Sequence, residues 1–224
     1  MKGRNVILII LLIVLSDQVL KFYIKTHYVI DESHNVLGSW FRLLFVENEG
    51  MAYGWQFGGN WGKMTLTLFR FFAVIFGVWY LRDIIRKKMH PGFILCAALI
   101  FSGALGNLID SMFYGMIFEE SNPIHIAAFL PKGGGYAGFL HGKVVDMLYF
   151  PIIRDTHFPT WVPFWGGEDF EFFRPIFNLA DASISTGVIA ILLFQKRFFR
   201  QHNTAPNPPA NEITPLTNDG ATGS

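Results

Sequence analysis

Pro175-Ile176-Phe177-Asn178-Leu179-Ala180-Asp181 leads directly into the apolar run Ala182 to Phe194. A hydrocarbon core of ~30 Å takes about 20 apolar residues as a helix. The stretch from about Ile176 to Phe194 therefore reads as a membrane span, closed by Lys196, Arg197 and Arg200. Asp181 then lies inside it. An Asp at a helix centre costs roughly 2.5 to 3.5 kcal/mol in membrane insertion, so an acid there marks a functional site unless a partner accounts for it. The rest of the chain is a search for that partner.

Working outward, three more spans precede this one. They run from about Val6 to Tyr28, Trp61 to Leu81, and Phe93 to Phe113. The first carries Asp17, Gln18 and Lys21 in its second half. No small-x-small cleavage site follows Leu15, so a retained helix is expected rather than a removable signal peptide. Arg70 lies inside the second span, facing either a protein interior or polar neighbours that solvate it. The third span holds Gly103, Gly106 and Asn107, with Asp110 near its end. Its glycines recur at a spacing that lets helices approach closely.

Composition agrees with a membrane protein. Of 224 residues, 51% are hydrophobic and only 16% charged, against about 25% charged in soluble domains. The net charge of +1 comes with no basic stripe interleaved with aromatics, so nucleic acid is not an expected partner. The single cysteine, Cys96, excludes an intrachain disulfide and a cysteine-based zinc finger.

Two long segments separate the spans. Residues 29–60 read as a small non-helical module, with polar loop at Asp31 to Asn35, a strand over Trp40 to Val46, and a glycine turn around Asn48 to Gly54. Residues 114–174 are polar and aromatic, with Val144-Val145-Asp146 and a Trp-, Phe- and Pro-rich run suited to a membrane–water interface. Residues 201–224 read as a disordered tail. Lys2 and Arg4, then Arg82, Arg86, Lys87 and Lys88, then Lys196, Arg197 and Arg200 fall on one side of a four-span topology. That side is expected to be cytoplasmic, with both termini inside and both long loops outside.

Depth follows from 1.5 Å per helical residue. Asp110 lies ~27 Å from the inner end of its span, Asp181 ~9 Å below the outer end, and Asp17 ~17 Å along the first span. Asp146 belongs to the outer loop itself. Several carboxylates thus share the outer leaflet. Two carboxylates a few ångströms apart share one proton, and such a pair can take a proton from water and return one to a leaving amine. Other readings stay open. Asp17 and Lys21, four apart, can form a purely structural salt bridge. Asp110 can be an ion-pair anchor, Asp146 an N-cap, Asn48 a turn residue and Asn178 the cap of the last helix. A metal site at Asp146 with His141 or His125 lacks a supporting motif. Ion transport suits intramembrane acids, although no internal repeat is evident. Serine chemistry has no GxSxG.

Five segments together resemble the bacterial lipoprotein signal peptidases, or signal peptidase II. They are Asp17-Gln18-Val19-Leu20-Lys21, Asn48-Glu49-Gly50-Met51-Ala52-Tyr53-Gly54, Gly103 to Asp110, Val144-Val145-Asp146, and Phe177-Asn178-Leu179-Ala180-Asp181. The resemblance spans about residues 5 to 200. It implies four transmembrane helices with a small extracytoplasmic β-cradle and a short amphipathic helix in the outer loops. The membrane peptidase domain would cover 1–200, and 201–224 would be a cytoplasmic tail. It implies an aspartyl endopeptidase that cuts prolipoproteins before a diacylglyceryl-modified lipobox cysteine. Asp146 and Asp181 would be the catalytic pair. Asp17, Lys21, Asn48, Gly50, Ala52, Gly103, Asn107, Asp110, Asn178 and Ala180 would shape or support the site. No metal or other cofactor is implied. The expected location is the bacterial inner membrane, the expected state a monomer among membrane lipids, and the expected inhibitors of globomycin type. The apolar outer loops, including Trp161, Phe164 and Trp165, are expected to clamp substrate at the interface. The competing reading is a non-proteolytic four-span protein, transporter or structural, with an acidic cluster in the outer leaflet.

The chain departs from the family pattern twice. Ser111 stands where an Arg usually follows the Asp of GNxxD, so another cation is expected near the site, from Lys143, Arg154 or Arg174. The segment from Ser111 to Lys143 is also longer than the usual link, and is expected to be a lid or a packing insertion.

Overall fold

The computed structural model describes residues 1–48, 59–151, 153–157, 161, 167, 169–172 and 175–199, with the side chains of 59–61, 153–157 and 169–172 not described. The expected site residues Gly50 and Ala52, the residues Phe164, Trp165 and Arg174, the Arg154 side chain and the tail 201–224 lie outside that set.

Four helices are long and apolar enough to cross a membrane. They are α1 (Gly3–His27), α2 (Gly59–Arg86), α3 (Pro91–Ile109) and α4 (Leu179–Phe199). All four begin or end close to the expected limits. The start of α3 is encoded locally. Pro91 occupies its first turn, where no N–H is needed, and the His90 ring accepts from Gly92 N at 3.1 Å. α3 is the most buried span and packs against the other three. The outward faces of the others are apolar and exposed, as with Leu11, Leu12 and Leu15 of α1, Phe69, Phe72 and Phe76 of α2, and Leu192 and Leu193 of α4. That is the surface expected of helices whose solvent is lipid.

Glycine sets the closeness of α3 to α4 and to α1. A Cβ on Gly103 would lie 2.2 Å from the Ala180 carbonyl oxygen, and one on Gly106 would lie 2.8 Å from Asp17 Oδ2. The small-residue spacing is thus used for packing, as expected.

Past Ile109 the third span continues as a wide π turn, Asp110–Tyr114, and a short helical end, Gly115–Ile117. π turns inside α-helices recur at functional sites because they re-aim side chains. Here the turn carries Asp110 and Ser111.

A four-stranded antiparallel sheet caps the end of the bundle away from the termini. Its strands are β1 (Ser33–Leu37), β2 (Phe41–Asn48), β3 (Val144–Tyr149) and β6 (Ile176–Phe177), in the order β1-β2-β3-β6. The strands β4 (Ile153–His157) and β5 (Asp169–Phe172) form a separate hairpin. Three expectations change here. Residues 33–35, read as polar loop, are the start of β1. Asp146 is no N-cap but the third residue of β3, and Val144-Val145 are the branched residues that favour a strand there. Ile176 and Phe177 do not extend the last span. They pair with Tyr149 and Leu148, and the helix starts only at Leu179. Asp181 is therefore in the first turn, ~4 Å along the helix rather than ~9 Å. The short amphipathic helix has no counterpart among the described residues of the outer loops.

Residues 118–143 answer the question of lid or packing. Phe118 and Phe129 close on Phe22 of α1 with ring centroids 5.4 and 5.0 Å apart. Ser121 accepts from Lys25 Nζ at 2.7 Å, and Lys25 is also paired with Glu47 of β2. Tyr136 lies over the same ammonium at 5.1 Å. The insertion packs α1 to the sheet around a buried cation.

Candidate active site

Between the apolar layer near the termini and the one beneath the sheet lies a band of buried polar side chains. Asp17 and Lys21 of α1, Asn107 of α3, Asp110 and Ser111 of the π turn, Asp146 of β3 and Asn178 before α4 are each at most 4% exposed. Such groups are tolerable in low dielectric only when each has a partner.

Lys21 is the centre of the lower half. Its ammonium lies 2.9 Å from Asp17 Oδ2 and 2.7 Å from Asp110 Oδ2, and donates to Asn107 Oδ1 at 2.9 Å. Gln18 donates to Asp110 Oδ1 at 2.8 Å. The expected Asp17–Lys21 pair is present, and so is the anchoring ion pair of Asp110. Asp17 does more than pair. Its Oδ1 accepts from the backbone N–H of Ala180 at 2.9 Å, so a carboxylate of α1 satisfies an open N–H in the first turn of α4. Asp110 reaches the sheet, where the Val145 N–H donates to its Oδ2 at 3.5 Å.

The upper half holds Asp146 and Asp181. The β2–β3 pairing carries a bulge, with Leu44 and Phe45 facing Met147, after which Val46 pairs with Asp146 and Asn48 with Val144. Bulges re-aim side chains, and this one lets the Asn48 amide donate to Asp146 Oδ2. Asn178 donates to the other oxygen, Oδ1, at 2.7 Å. The Asn178 Oδ1 accepts from Asp181 N at 2.9 Å, so the expected cap is real, and one side chain both starts the helix and holds Asp146. Asn107 donates to Asp181 Oδ1 at 2.7 Å and accepts from Asn178 at 3.2 Å. Two amides therefore tie the two carboxylates together.

Their surroundings differ. Asp146 is 3% exposed, and burial, followed by the charge of Asp181, pushes its carboxyl up to about 7. Asp181 is half-buried and lies in the first turn of α4. No cluster of three or more metal-ligating side chains occurs among the described residues. His141 Nδ1 bonds to the Phe139 carbonyl, and His125 bonds to Asn122.

The expected cation near Ser111 is not Lys143. That ammonium is held by Glu120 at 3.2 Å and lies over Tyr136. Arg70 of α2 instead donates from Nη1 to Ser111 Oγ at 3.1 Å. The signal that could have found it was its own cost, a guanidinium in an apolar span. Trp161 is exposed, as an interface residue would be.

The family profile described as Signal peptidase (SPase) II matches residues 9–197. A lipoprotein signal peptidase of Porphyromonas gingivalis is 47% identical over 197 residues, 88% of this chain and 84% of that protein. One of Amoebophilus asiaticus is 35% identical over 196 residues, 86% of this chain and 78% of that protein. Two bacterial membrane enzymes solved by the in meso method share the fold. One, at 2.3 Å, has a TM-score of 0.57 and 24% identity, covering 92% of this chain and 94% of its own. The other, at 1.9 Å, has a TM-score of 0.55 and 26% identity, covering 86% and 93%. With its four spans, small antiparallel sheet and band of buried acids, the chain belongs to the signal peptidase II family of aspartic peptidases.

Proposed function

We propose that Asp146 and Asp181 are the acid–base pair of this peptidase, and that its substrate is a diacylglyceryl-modified prolipoprotein cut before the lipobox cysteine. The observation that carries the reading is the shared clamp. Asn178 bonds Asp146 and caps the helix of Asp181, while Asn107 bonds both Asp181 and Asn178. No other two acids among the described residues are joined this way without an intervening cation.

The pair holds one proton. Asp181, at the helix N-terminus and more open to solvent, takes a proton from water as the water oxygen attacks the scissile carbonyl carbon. Asp146, buried and inclined to stay protonated, donates to the carbonyl oxygen and stabilises its developing charge. When the tetrahedral intermediate collapses, Asp181 passes its proton to the cysteine nitrogen, the C–N bond breaks, and the proton on the former carbonyl oxygen returns to Asp146. The signal peptide leaves with a new carboxylate and the lipoprotein with a free amine. Neither step forms a covalent enzyme intermediate.

Asp17, Lys21, Asn48, Gly103, Asn107, Asp110, Asn178 and Ala180 support the pair, with Gly50 and Ala52 assigned to substrate contact on the resemblance alone. The diacylglyceryl chains remain in lipid between helices and fix the peptide against the pair. Basic residues at the ends of α1, α2 and α4 favour a cytoplasmic location for both termini, in the inner membrane, with the site near the outer face. We assign residues 1–200 to one peptidase domain, active as a monomer and blocked by globomycin-type inhibitors.

A gel-shift assay on a diacylglyceryl-modified lipobox substrate tests this. Wild type should convert it, while Asp146→Asn and Asp181→Asn should fold, insert and leave it uncut. Cleavage by either variant at a rate near wild type overturns the assignment.

A further inference from the structure

We infer that Arg70 is a positioning residue of the Asp146–Asp181 pair, supplying from α2 the second cation of the site through Ser111. The inference rests on the assignment of that pair.

Arg70 lies in the apolar sequence Phe69-Arg70-Phe71-Phe72. A guanidinium in such a helix is costly unless it has a partner in the bundle. Phe69 and Phe72 face outward at 69% and 63% exposed, whereas Lys63 and Thr67, seven and three residues earlier, are buried. Lys63, Thr67 and Arg70 thus form one polar stripe at helical spacing, turned to the protein interior. Thr67 Oγ1 uses it to donate to the Leu140 carbonyl at 3.2 Å.

From that stripe Arg70 Nη1 donates to Ser111 Oγ at 3.1 Å, and Ser111 Oγ donates to the Asn107 carbonyl at 2.9 Å. Asn107 is the residue that donates to Asp181. Among the described side chains, the charged groups on the elements packed here are Asp17 and Lys21 from α1, Lys63 and Arg70 from α2, Asp110 from the π turn, Asp146 from β3 and Asp181 from α4. Lys25 and Glu47 are paired with each other on the far side of the sheet. Lys21 is engaged by Asp17 and Asp110. Among the described side chains, Arg70 is the cation tied through Ser111 and Asn107 to Asp181, and we assign it to the ionised member of the pair. A serine at 111 leaves room for the guanidinium and gives it an acceptor.

The test measures kcat/KM on a diacylglyceryl-modified lipobox peptide between about pH 5 and 9, for full-length enzyme in detergent. A cation beside a carboxylate favours its ionised form. Arg70→Gln should therefore lower kcat/KM about tenfold at neutral pH and move the acid limb about one unit higher. Arg70→Lys, which keeps the charge, should leave the limb in place. Ser111→Ala, which removes only the tether, should move it the same way by less, and it serves if Arg70→Gln does not fold. Arg70→Gln with Ser111→Arg should return the limb toward wild type. A loss of rate with an unmoved limb in both Arg70→Gln and Ser111→Ala overturns the inference, as does a profile superimposable on wild type. Asp181→Asn, assayed alongside, separates the two ideas. If it still cleaves, the pair is misassigned. If it is inactive while the limb stays put in the Arg70 and Ser111 variants, only the role of Arg70 fails.

Discussion

Lys21→Met removes one charge and leaves two. The Lys21 side chain is fully buried, and its ammonium sits 2.9 Å from Asp17 and 2.7 Å from Asp110, which are themselves 1% and 0% exposed as side chains. Methionine keeps the length and the apolar stem, so little packing is lost. What changes is that two buried carboxylates lose their cation. Removing one partner of a buried ion pair costs about 3 to 5 kcal/mol. Because one ammonium serves both acids, the cost should fall in the upper part of that range, about 4 to 5 kcal/mol. Against a typical total of about 5 to 15 kcal/mol, the variant should be close to unfolding.

The measurement is the unfolding free energy of the detergent-solubilised protein, with Lys21→Met, Asp110→Asn and the double variant compared. The structure predicts a rescue. Adding Asp110→Asn to Lys21→Met removes one of the stranded charges and should recover about half of the loss, a coupling well above the ~0.5 kcal/mol of independent sites. Peptidase activity should not recover with it. Lys21 also donates to Asn107 Oδ1, which faces Asp181 with its other end. Without that donor the amide oxygen keeps only the 3.2 Å bond from Asn178, and a misplacement of ~1 Å costs about 10²-fold in rate. A loss below ~1 kcal/mol for Lys21→Met, or additive single and double variants, refutes the ion-pair reasoning. Full activity in the rescued double variant refutes the claim about Asn107.

Three further outcomes are expected. Gly103→Ala puts a Cβ where the Ala180 carbonyl oxygen lies 2.2 Å away, so α3 and α4 must part; thermal stability should drop by about 1 to 3 kcal/mol, with kcat/KM falling alongside, and an unchanged enzyme would contradict the packing. Asp146, raised to about 7 by burial and by the charge of Asp181, keeps the proton it must donate below that pH and loses it above, so kcat/KM should decline on the alkaline side from about 7; a profile flat to about pH 9 counts against Asp146 as the acid. Lys25→Met strands Glu47 and releases Ser121, at a cost of about 3 kcal/mol or more, and should speed amide hydrogen exchange across 118–141; unaltered protection there would mean the insertion is held by its aromatic contacts alone.

The spans were legible because the bilayer imposes a length, and hydropathy reads length well. Hydropathy was also the source of the misplaced start of α4. Ile176 and Phe177 extend the apolar run, but their backbone pairs with β3, and only the Asn178 cap marks the true boundary. Val144-Val145-Asp146 suits a strand and suits the approach to a cap, and nothing local separates them. The choice is made by β2, a hundred residues earlier. Asp17, Asp110, Asp146 and Asp181 could be placed at similar depth by counting residues, but counting gives height and not direction around each helix axis. Arg70 shows the consequence. Its height was plain, and its bond to Ser111 depends on how α2 is rotated against α3. Lys143, Arg154 and Arg174 lie closer in sequence to Asp146 or Asp181 than Arg70 does, and that is the one kind of nearness a chain displays.

The two asparagines explain how a charged site works beside lipid without collecting more charge. Lys21 can only donate, so Asn107 must turn its oxygen to Lys21 and its nitrogen to Asp181. That same oxygen accepts from Asn178, whose own oxygen is held by the Asp181 N–H, so Asn178 must turn its nitrogen to Asp146. The ion pair low in the bundle therefore sets the direction of both amides above it, and through them the aim of both acids. Lysine in the place of either asparagine would have supplied donors but no acceptor, and would have held the ionised state of both acids at once. Neutral amides carry orientation and add no charge to the proposed pair.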